Sequence, residues 1–130
     1  MRIAVIIARS LLGLIFFVFG LNGFLHFIPN PPPPPAAKAF FEALFATGYM
    51  LKLIFGTQTI GGALLLLGVA VPFALTILAP VIVNIIAFHI YVSPDPMAMG
   101  IALTVAALEL FLVWCYRAAF APLFNPPPPG

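Results

Sequence analysis

The chain has 130 residues, a length that corresponds to a single domain. Hydrophobic residues make up 64% of it and charged residues only 6%, against about 45–50% and about 25% in soluble proteins, so the composition excludes a soluble domain and indicates an integral membrane protein. The formal net charge is +2 and the basic residues form no cluster, which argues against nucleic acid as a partner.

Uncharged stretches of the sequence predict four membrane-spanning helices, at about residues 5–28, 51–70, 73–92 and 97–117. Residues 10–28 carry no charge and, at about 1.5 Å per residue, are long enough to cross the hydrocarbon layer. Residues 53–94 are also uncharged, and this run fits two spans with a turn at the Gly- and Pro-containing residues 68–72. Pro94 and Pro96 block helix continuation before the fourth span, and four spans place both termini on one side.

Three further segments complete the chain. Residues 30–35 contain five consecutive prolines, which favour a stiff polyproline II connector. Residues 36–47 place Phe side chains at helical spacing, which predicts a short interfacial helix outside the bundle. Residues 125–130 form a Pro-rich tail, expected to be extended or disordered. The predicted fold class is therefore all-α integral membrane, with residues 1–124 forming an antiparallel bundle of four transmembrane helices and one interfacial helix.

Glycine spacing indicates close helix packing. Gly13 and Gly20 are seven residues apart in the first span, and Gly61 and Gly68 are seven apart in the second. Small residues along one stripe allow neighbouring helices to approach closely within a membrane.

Basic residues predict the orientation of the bundle. Arg2, Arg9 and Arg117 fall at the end that carries the termini, whereas Lys38 and Lys52 fall at the other end. Because cytoplasmic segments carry an excess of Lys and Arg, we expect both termini in the cytoplasm.

Polar side chains at membrane depth are the first candidates for function. Most lie in the half of the bundle remote from the termini, whereas the other half of the second and third spans is almost purely aliphatic. The candidate cofactor-binding residues, for a quinone or pigment, are Asn22, His26, Gln58, Asn84 and His89. Two interpretations stay open: a pocket for a polar head group such as a quinone ring, or hydrogen bonds that hold helices together. We expect the first four to point into the bundle, because unpaired polar groups facing hydrocarbon are costly.

Other reactive groups are few. His26 and His89 also permit ligation of a haem or a chlorophyll. Glu109 in the fourth span and Arg9 in the first are candidate buried charges, and a carboxylate at that depth needs a partner or a bound proton. A structural role and a proton relay are both open for Glu109. Cys115 is the only cysteine, so the chain has no internal disulfide or dithiol chemistry. With no complete set of catalytic residues and no metal site predicted, autonomous enzymatic activity is not expected.

Several stretches resemble the DoxX-like family of four-helix bacterial membrane proteins. The resemblance is carried by residues 8–29 (ARSLLGLIFFVFGLNGFLHFIP), 61–68 (GGALLLLG), 78–90 (LAPVIVNIIAFHI) and 108–124 (LELFLVWCYRAAFAPLF). Gln58 stands where relatives often carry a Glu, so a carboxylate that could handle protons in such relatives is replaced here by an amide.

The resemblance implies a multi-pass protein of the bacterial cytoplasmic membrane. The family takes its name from a small subunit of a thiosulfate:quinone oxidoreductase, and most members have no established activity. We expect a small accessory or scaffold subunit of a larger redox or photosynthetic electron-transfer complex, with no intrinsic cofactor. Its partners would be membrane lipids and other integral membrane subunits. The alternative is a quinone-interacting subunit of a membrane oxidoreductase.

Overall fold

The computed structural model describes residues 1–29 and 31–130. These residues form six α-helices and no β-strand. The helices are α1 (Arg2–Leu25), α2 (Pro35–Ala46), α3 (Met50–Leu67), α4 (Val71–Tyr91), α5 (Pro96–Cys115) and α6 (Arg117–Phe124). Four of them, α1, α3, α4 and α5, are long and apolar enough to cross a membrane, which confirms the predicted all-α membrane bundle.

The four long helices pack in a closed arrangement. Helix α1 lies against α3, α3 against α4, and α4 against α5, which returns to α1. Leu12, Leu75 and Leu112 are fully buried where these helices meet. Only 22–28% of each span is buried within the chain, and the exposed remainder is largely apolar. A lipid environment accounts for that exposed apolar surface.

The closest helix contact joins α1 to α3 through glycine backbones. A Cβ atom added to Gly13 would lie 2.9 Å from the carbonyl oxygen of Gly62, and one added to Gly20 would lie 2.6 Å from the backbone nitrogen of Thr59. Gly13 and Gly20 of the first span therefore both serve close packing, as expected from their spacing. In α3 it is Gly62 that meets α1, whereas Gly61 packs against Leu78 of α4.

Tight connections reverse the chain between spans. Gly68 closes α3 with φ 72°, and Ala70 precedes α4 with φ 49°. Two left-handed residues so close together turn the chain sharply, and glycine adopts this conformation without steric cost. At the start of α5, the Asp95 carboxylate accepts a hydrogen bond from the Met97 backbone N–H at 3.3 Å, as an N-cap does.

Helix α2 is separate from the second span, as predicted. It begins at Pro35, and the N–H that proline lacks would have no partner within the helix at its first residue. Gly48, with φ 81°, follows the helix. Its Phe40 and Phe41 rings lie 5.2 and 5.5 Å from the ring of Phe88 in α4. These aromatic contacts attach α2 to the outside of the bundle. Asn30, at the start of the predicted connector, lies outside the described residues.

The end of the chain differs from the prediction. Span four was expected to run to residue 117, but α5 ends at Cys115 and Tyr116 takes a non-helical conformation with φ −100° and ψ 19°. A further helix, α6, then runs to Phe124 and was not predicted. Residues 126–130 follow it without regular structure.

Candidate functional site

A cavity of about 220 Å³ opens between the four long helices, in the half of the bundle remote from the termini. Its walls are mostly apolar and include Phe16 and Phe19 of α1 and Ile101 of α5. Among the described residues, the polar ones that line it are Gln58 of α3 and His89 of α4. The structure thus brings two of the five candidate residues to one cavity, and we call it the Gln58–His89 cavity.

The Gln58 side chain is more than nine-tenths buried, since 8% of its surface is exposed. The neighbouring hydroxyls of Thr57 and Thr59 each donate a hydrogen bond to a carbonyl oxygen of their own helix. No such bond engages the Gln58 amide in the described part of the chain. An amide offers two N–H donors and one acceptor oxygen, and leaving them unbonded in an apolar site costs about 1–3 kcal/mol. The amide is therefore a free polar group at the cavity wall.

His89 is half-buried, and one of its ring nitrogens is already engaged. Nδ1 lies 2.8 Å from the carbonyl oxygen of Ile85, one turn earlier in α4. Because a carbonyl oxygen can only accept, Nδ1 carries the hydrogen in that contact. In the neutral ring, Nε2 is then a hydrogen-bond acceptor. The cavity thus combines a donor-rich amide with an imidazole whose second nitrogen accepts.

Asn22 is buried, as predicted, but its role is structural. Its Oδ1 accepts a hydrogen bond from the backbone N–H of Ile28 at 2.7 Å. That bond fastens the chain where it leaves α1, and Asn22 does not line the Gln58–His89 cavity. For Asn22 the hydrogen-bonding interpretation therefore fits, although the bond is made within the connection and not between helices.

The prediction that His26 and Asn84 point into the bundle is wrong, because both are exposed. The Asn84 amide donates to the carbonyl oxygen of Pro80 at 2.9 Å, so its own helix supplies the partner that the bundle was expected to provide. His26 follows the last residue of α1 in a left-handed conformation, φ 51°, and so lies at the helix end. Neither residue lines the Gln58–His89 cavity.

The two histidines lie in different surroundings, since only His89 lines the cavity. The structure therefore does not assemble them as a pair of ligands for one haem iron. Among residues 1–29 and 31–130, no group of three or more His, Cys, Asp or Glu side chains is placed to hold a metal ion. One amide and one imidazole suit hydrogen bonding to an organic ring. Ligation of a pigment by a single histidine stays a prediction.

Glu109 and Arg9 are not paired with each other. Glu109 is 5% exposed, and neither of its carboxylate oxygens has a hydrogen-bond partner within the described residues. The buried Nε of Arg9 also has no hydrogen-bond partner among the described residues. Among the described residues there is one ion pair, between Lys38 and Glu42 of α2, which lie 3.9 Å apart. The predicted burial of Glu109 is confirmed, whereas the ion pair that could have compensated it is not formed.

No known protein family, curated protein or solved structure shows significant similarity to this chain. The resemblance to DoxX-like proteins therefore stays a prediction, based on the stretches of sequence given above.

Proposed function

We propose that this chain is a small accessory subunit of a larger membrane-bound redox complex, and that it holds the ring of a quinone in the Gln58–His89 cavity. The observation that carries the proposal is the Gln58 amide at the wall of an apolar cavity, on a residue that is 8% exposed and forms no side-chain hydrogen bond with the described residues. A quinone ring offers an oxygen on each of two opposite edges, and its apolar body suits walls of Phe and Ile.

The cavity volume supports a single ring. At about 220 Å³ it is larger than the 150 Å³ cavity that accommodates benzene, and smaller than the pockets of about 300 Å³ or more that enclose drug-sized ligands. A hydrocarbon tail must therefore leave the cavity. Phe19 and Ile101 line it and are themselves 51% and 56% exposed, so the cavity opens on the lipid-facing surface, where a tail would lie.

The hydrogen-bonding groups favour the reduced ring. The Gln58 N–H groups can donate to one ring oxygen in either redox state. Nε2 of neutral His89 accepts, so it binds the O–H of a quinol but offers nothing to a quinone carbonyl, which also only accepts. We therefore expect the quinol to bind more tightly than the quinone when His89 is neutral.

The proposed subunit role rests on the few redox-active residues that the chain has. One cysteine cannot form a redox-active dithiol, so the proposal assigns electron transfer to a partner subunit. The resemblance to DoxX-like proteins and the three arginines at the terminal end support the bacterial cytoplasmic membrane, with both termini in the cytoplasm. Exposed apolar faces on all four spans leave room for membrane lipids and for other integral membrane subunits.

The amount of ubiquinol that the purified protein retains tests the proposed ligand. The full chain is purified in mild detergent, loaded with ubiquinol, and the retained lipid is extracted and quantified. We expect Gln58→Leu to weaken ubiquinol binding about tenfold, the equivalent of about 1.4 kcal/mol for one hydrogen bond in an apolar site. The matched control is Asn84→Leu, which removes an exposed amide outside the cavity and should leave retention unchanged.

Three results would contradict the proposal. Equal retention in the wild type, Gln58→Leu and Asn84→Leu would exclude a ring held by the Gln58 amide. Loss of folded protein in Gln58→Leu would assign the amide to helix association, although it makes no hydrogen bond in the described structure. Migration of the chain only as a monomer, after mild extraction from its native membrane, would contradict the subunit role.

A further inference from the structure

A second cavity lies at the opposite end of the bundle. It is a cleft of about 450 Å³ between the beginning of α1 and the end of α5. Its lining residues are Arg2, Val5, Ile6, Arg9, Cys115 and Tyr116. Two arginines therefore line one cleft, whose lining among the described residues includes no carboxylate, and we call it the arginine cleft.

The positive charge of the arginine cleft is not neutralised by the described residues. The one ion pair found among them, between Lys38 and Glu42, lies on α2 at the other end of the bundle. Neither Arg2 nor Arg9 forms a side-chain hydrogen bond or an ion pair with the described residues. The Nε atom of Arg9 is buried without a partner among them. A buried donor on a charged group is costly to leave unbonded, and no residue that lines the cleft accepts a hydrogen bond from Arg9.

Arg117, the third arginine at this end, is already engaged elsewhere. Its guanidinium lies 4.1 Å from the centre of the Trp114 ring, and its Nη1 donates to the Trp114 carbonyl oxygen at 2.9 Å. Arg2 and Arg9 are therefore the two guanidinium groups that remain available to a ligand.

Arg9 is held in place by its surroundings. Its guanidinium packs against Gly68, at the C-terminal end of α3, so closely that a side chain at that position would collide with it. The C-terminal end of a helix carries partial negative charge, which favours a cation there. This position orients Arg9 but leaves its Nε without an acceptor.

We propose that the arginine cleft binds the phosphate of an anionic phospholipid head group. Guanidinium groups bind phosphate oxygens through charge-assisted, often bidentate hydrogen bonds, and basic pockets between membrane helices are typical sites for anionic head groups. Arg2 and Arg9 lie seven residues apart, about 10 Å along α1, so the cleft extends from the helix end into the membrane. Ile3 and Ile7 are exposed next to it on α1, where acyl chains would lie.

The only tryptophan, Trp114, lies at the same end of the bundle as the cleft and is 59% exposed, so its fluorescence reports on the lipid at this end. The full chain is reconstituted in phosphatidylcholine vesicles that contain a minor fraction of phosphatidylglycerol. Quenching of Trp114 by phosphatidylglycerol brominated in the upper part of its acyl chains is then compared with quenching by brominated phosphatidylcholine. We expect the wild type to select phosphatidylglycerol, and Arg2→Gln and Arg9→Gln each to lower that selectivity about fivefold.

The matched control is Lys52→Gln, which removes an exposed positive charge at the other end of the bundle. It should leave the selectivity unchanged, and an equal loss in Lys52→Gln would overturn the proposal because general charge attraction would then explain the result. Arg2 is exposed, so Arg2→Gln tests the cleft even where Arg9→Gln reduces folding, which circular dichroism would detect. Unchanged selectivity in folded Arg2→Gln would overturn the proposal.

Inorganic phosphate shares the chemistry of the head group and is distinguished by competition. Replacing chloride with phosphate at equal ionic strength should leave the phosphatidylglycerol selectivity of Trp114 quenching unchanged. Loss of that selectivity in phosphate would identify a site for free anions and would overturn the assignment to lipid. Because the arginine cleft and the Gln58–His89 cavity share no lining residue, either proposal can fail without the other.

Discussion

Substitution Gly62→Ala tests the contact between α1 and α3. A Cβ atom at Gly62 would lie 2.7 Å from the carbonyl oxygen of Gly13 and 2.8 Å from Cα of Phe17. Both are backbone atoms, which cannot rotate away as a side chain can. The backbone nitrogen of Phe17 lies closer still, and ordinary van der Waals contact begins near 3.4 Å, so the two helices would have to separate by more than about 0.7 Å.

The expected loss of stability follows from that geometry. Inserting a methyl group into a tightly packed contact costs about 1–3 kcal/mol, and the higher helix propensity of Ala returns up to about 1 kcal/mol. We expect Gly62→Ala to lower the free energy of unfolding by about 1–2 kcal/mol. The matched control is Gly56→Ala in the same helix, where an added Cβ meets nothing within 4 Å. This variant should be neutral, or more stable by up to about 1 kcal/mol.

Equilibrium unfolding in mixed micelles of mild and denaturing detergent measures both variants. Loss of helix is followed by circular dichroism and loss of tertiary structure by Trp114 fluorescence. The two variants should differ by about 2 kcal/mol, with Gly62→Ala the less stable. A Gly62→Ala protein as stable as Gly56→Ala would refute the close approach of α1 and α3 at this position.

Two further predictions concern the ends of the helices. Phe88→Ala removes the ring against which Phe40 and Phe41 of α2 pack, at about 0.5–1.5 kcal/mol for each aromatic pair, so amide hydrogen exchange in α2 should accelerate. Tyr91→Ala, at an 82% exposed position, should leave that exchange unchanged, and equal rates in both variants would contradict the packing. Asn22→Ala removes the acceptor of the Ile28 N–H and should lower the free energy of unfolding by about 1 kcal/mol, with faster exchange at Ile28. Protection of Ile28 that persists in this variant would show that another group holds the connection.

The spans were predictable because they depend on a one-dimensional property. Insertion into a membrane requires a long run without charge, and such runs are visible directly in the sequence. The third span, expected at residues 73–92, is Val71–Tyr91 in the structure. The first, expected to end at residue 28, ends at Leu25, because His26 takes a left-handed conformation and Asn22 captures the Ile28 N–H. Helix ends depend on such local contacts, which hydropathy does not contain.

The candidate site was only partly predictable. The depth of a residue along a helix follows from its number, so polar groups in the same half of the bundle could be predicted from the sequence. Two of them, Gln58 and His89, line one cavity in the structure. The direction in which each polar side chain points was harder to predict. The Asn84 amide, for example, donates a hydrogen bond to its own helix and therefore requires no partner in the bundle interior. The arginine cleft was missed, because its residues lie at opposite ends of the chain and no spacing rule connects them.

By itself, the sequence determined that this protein is a multi-pass bundle of four membrane helices with a separate short helix after the first span. The physical reason is that a chain with 6% charged residues must bury its backbone in helices and its apolar surface in lipid. Only the tertiary structure decided which polar groups share a cavity and which glycine of α3 meets α1. Those outcomes depend on the rotation and approach of each helix, which are set by contacts between side chains far apart in the sequence.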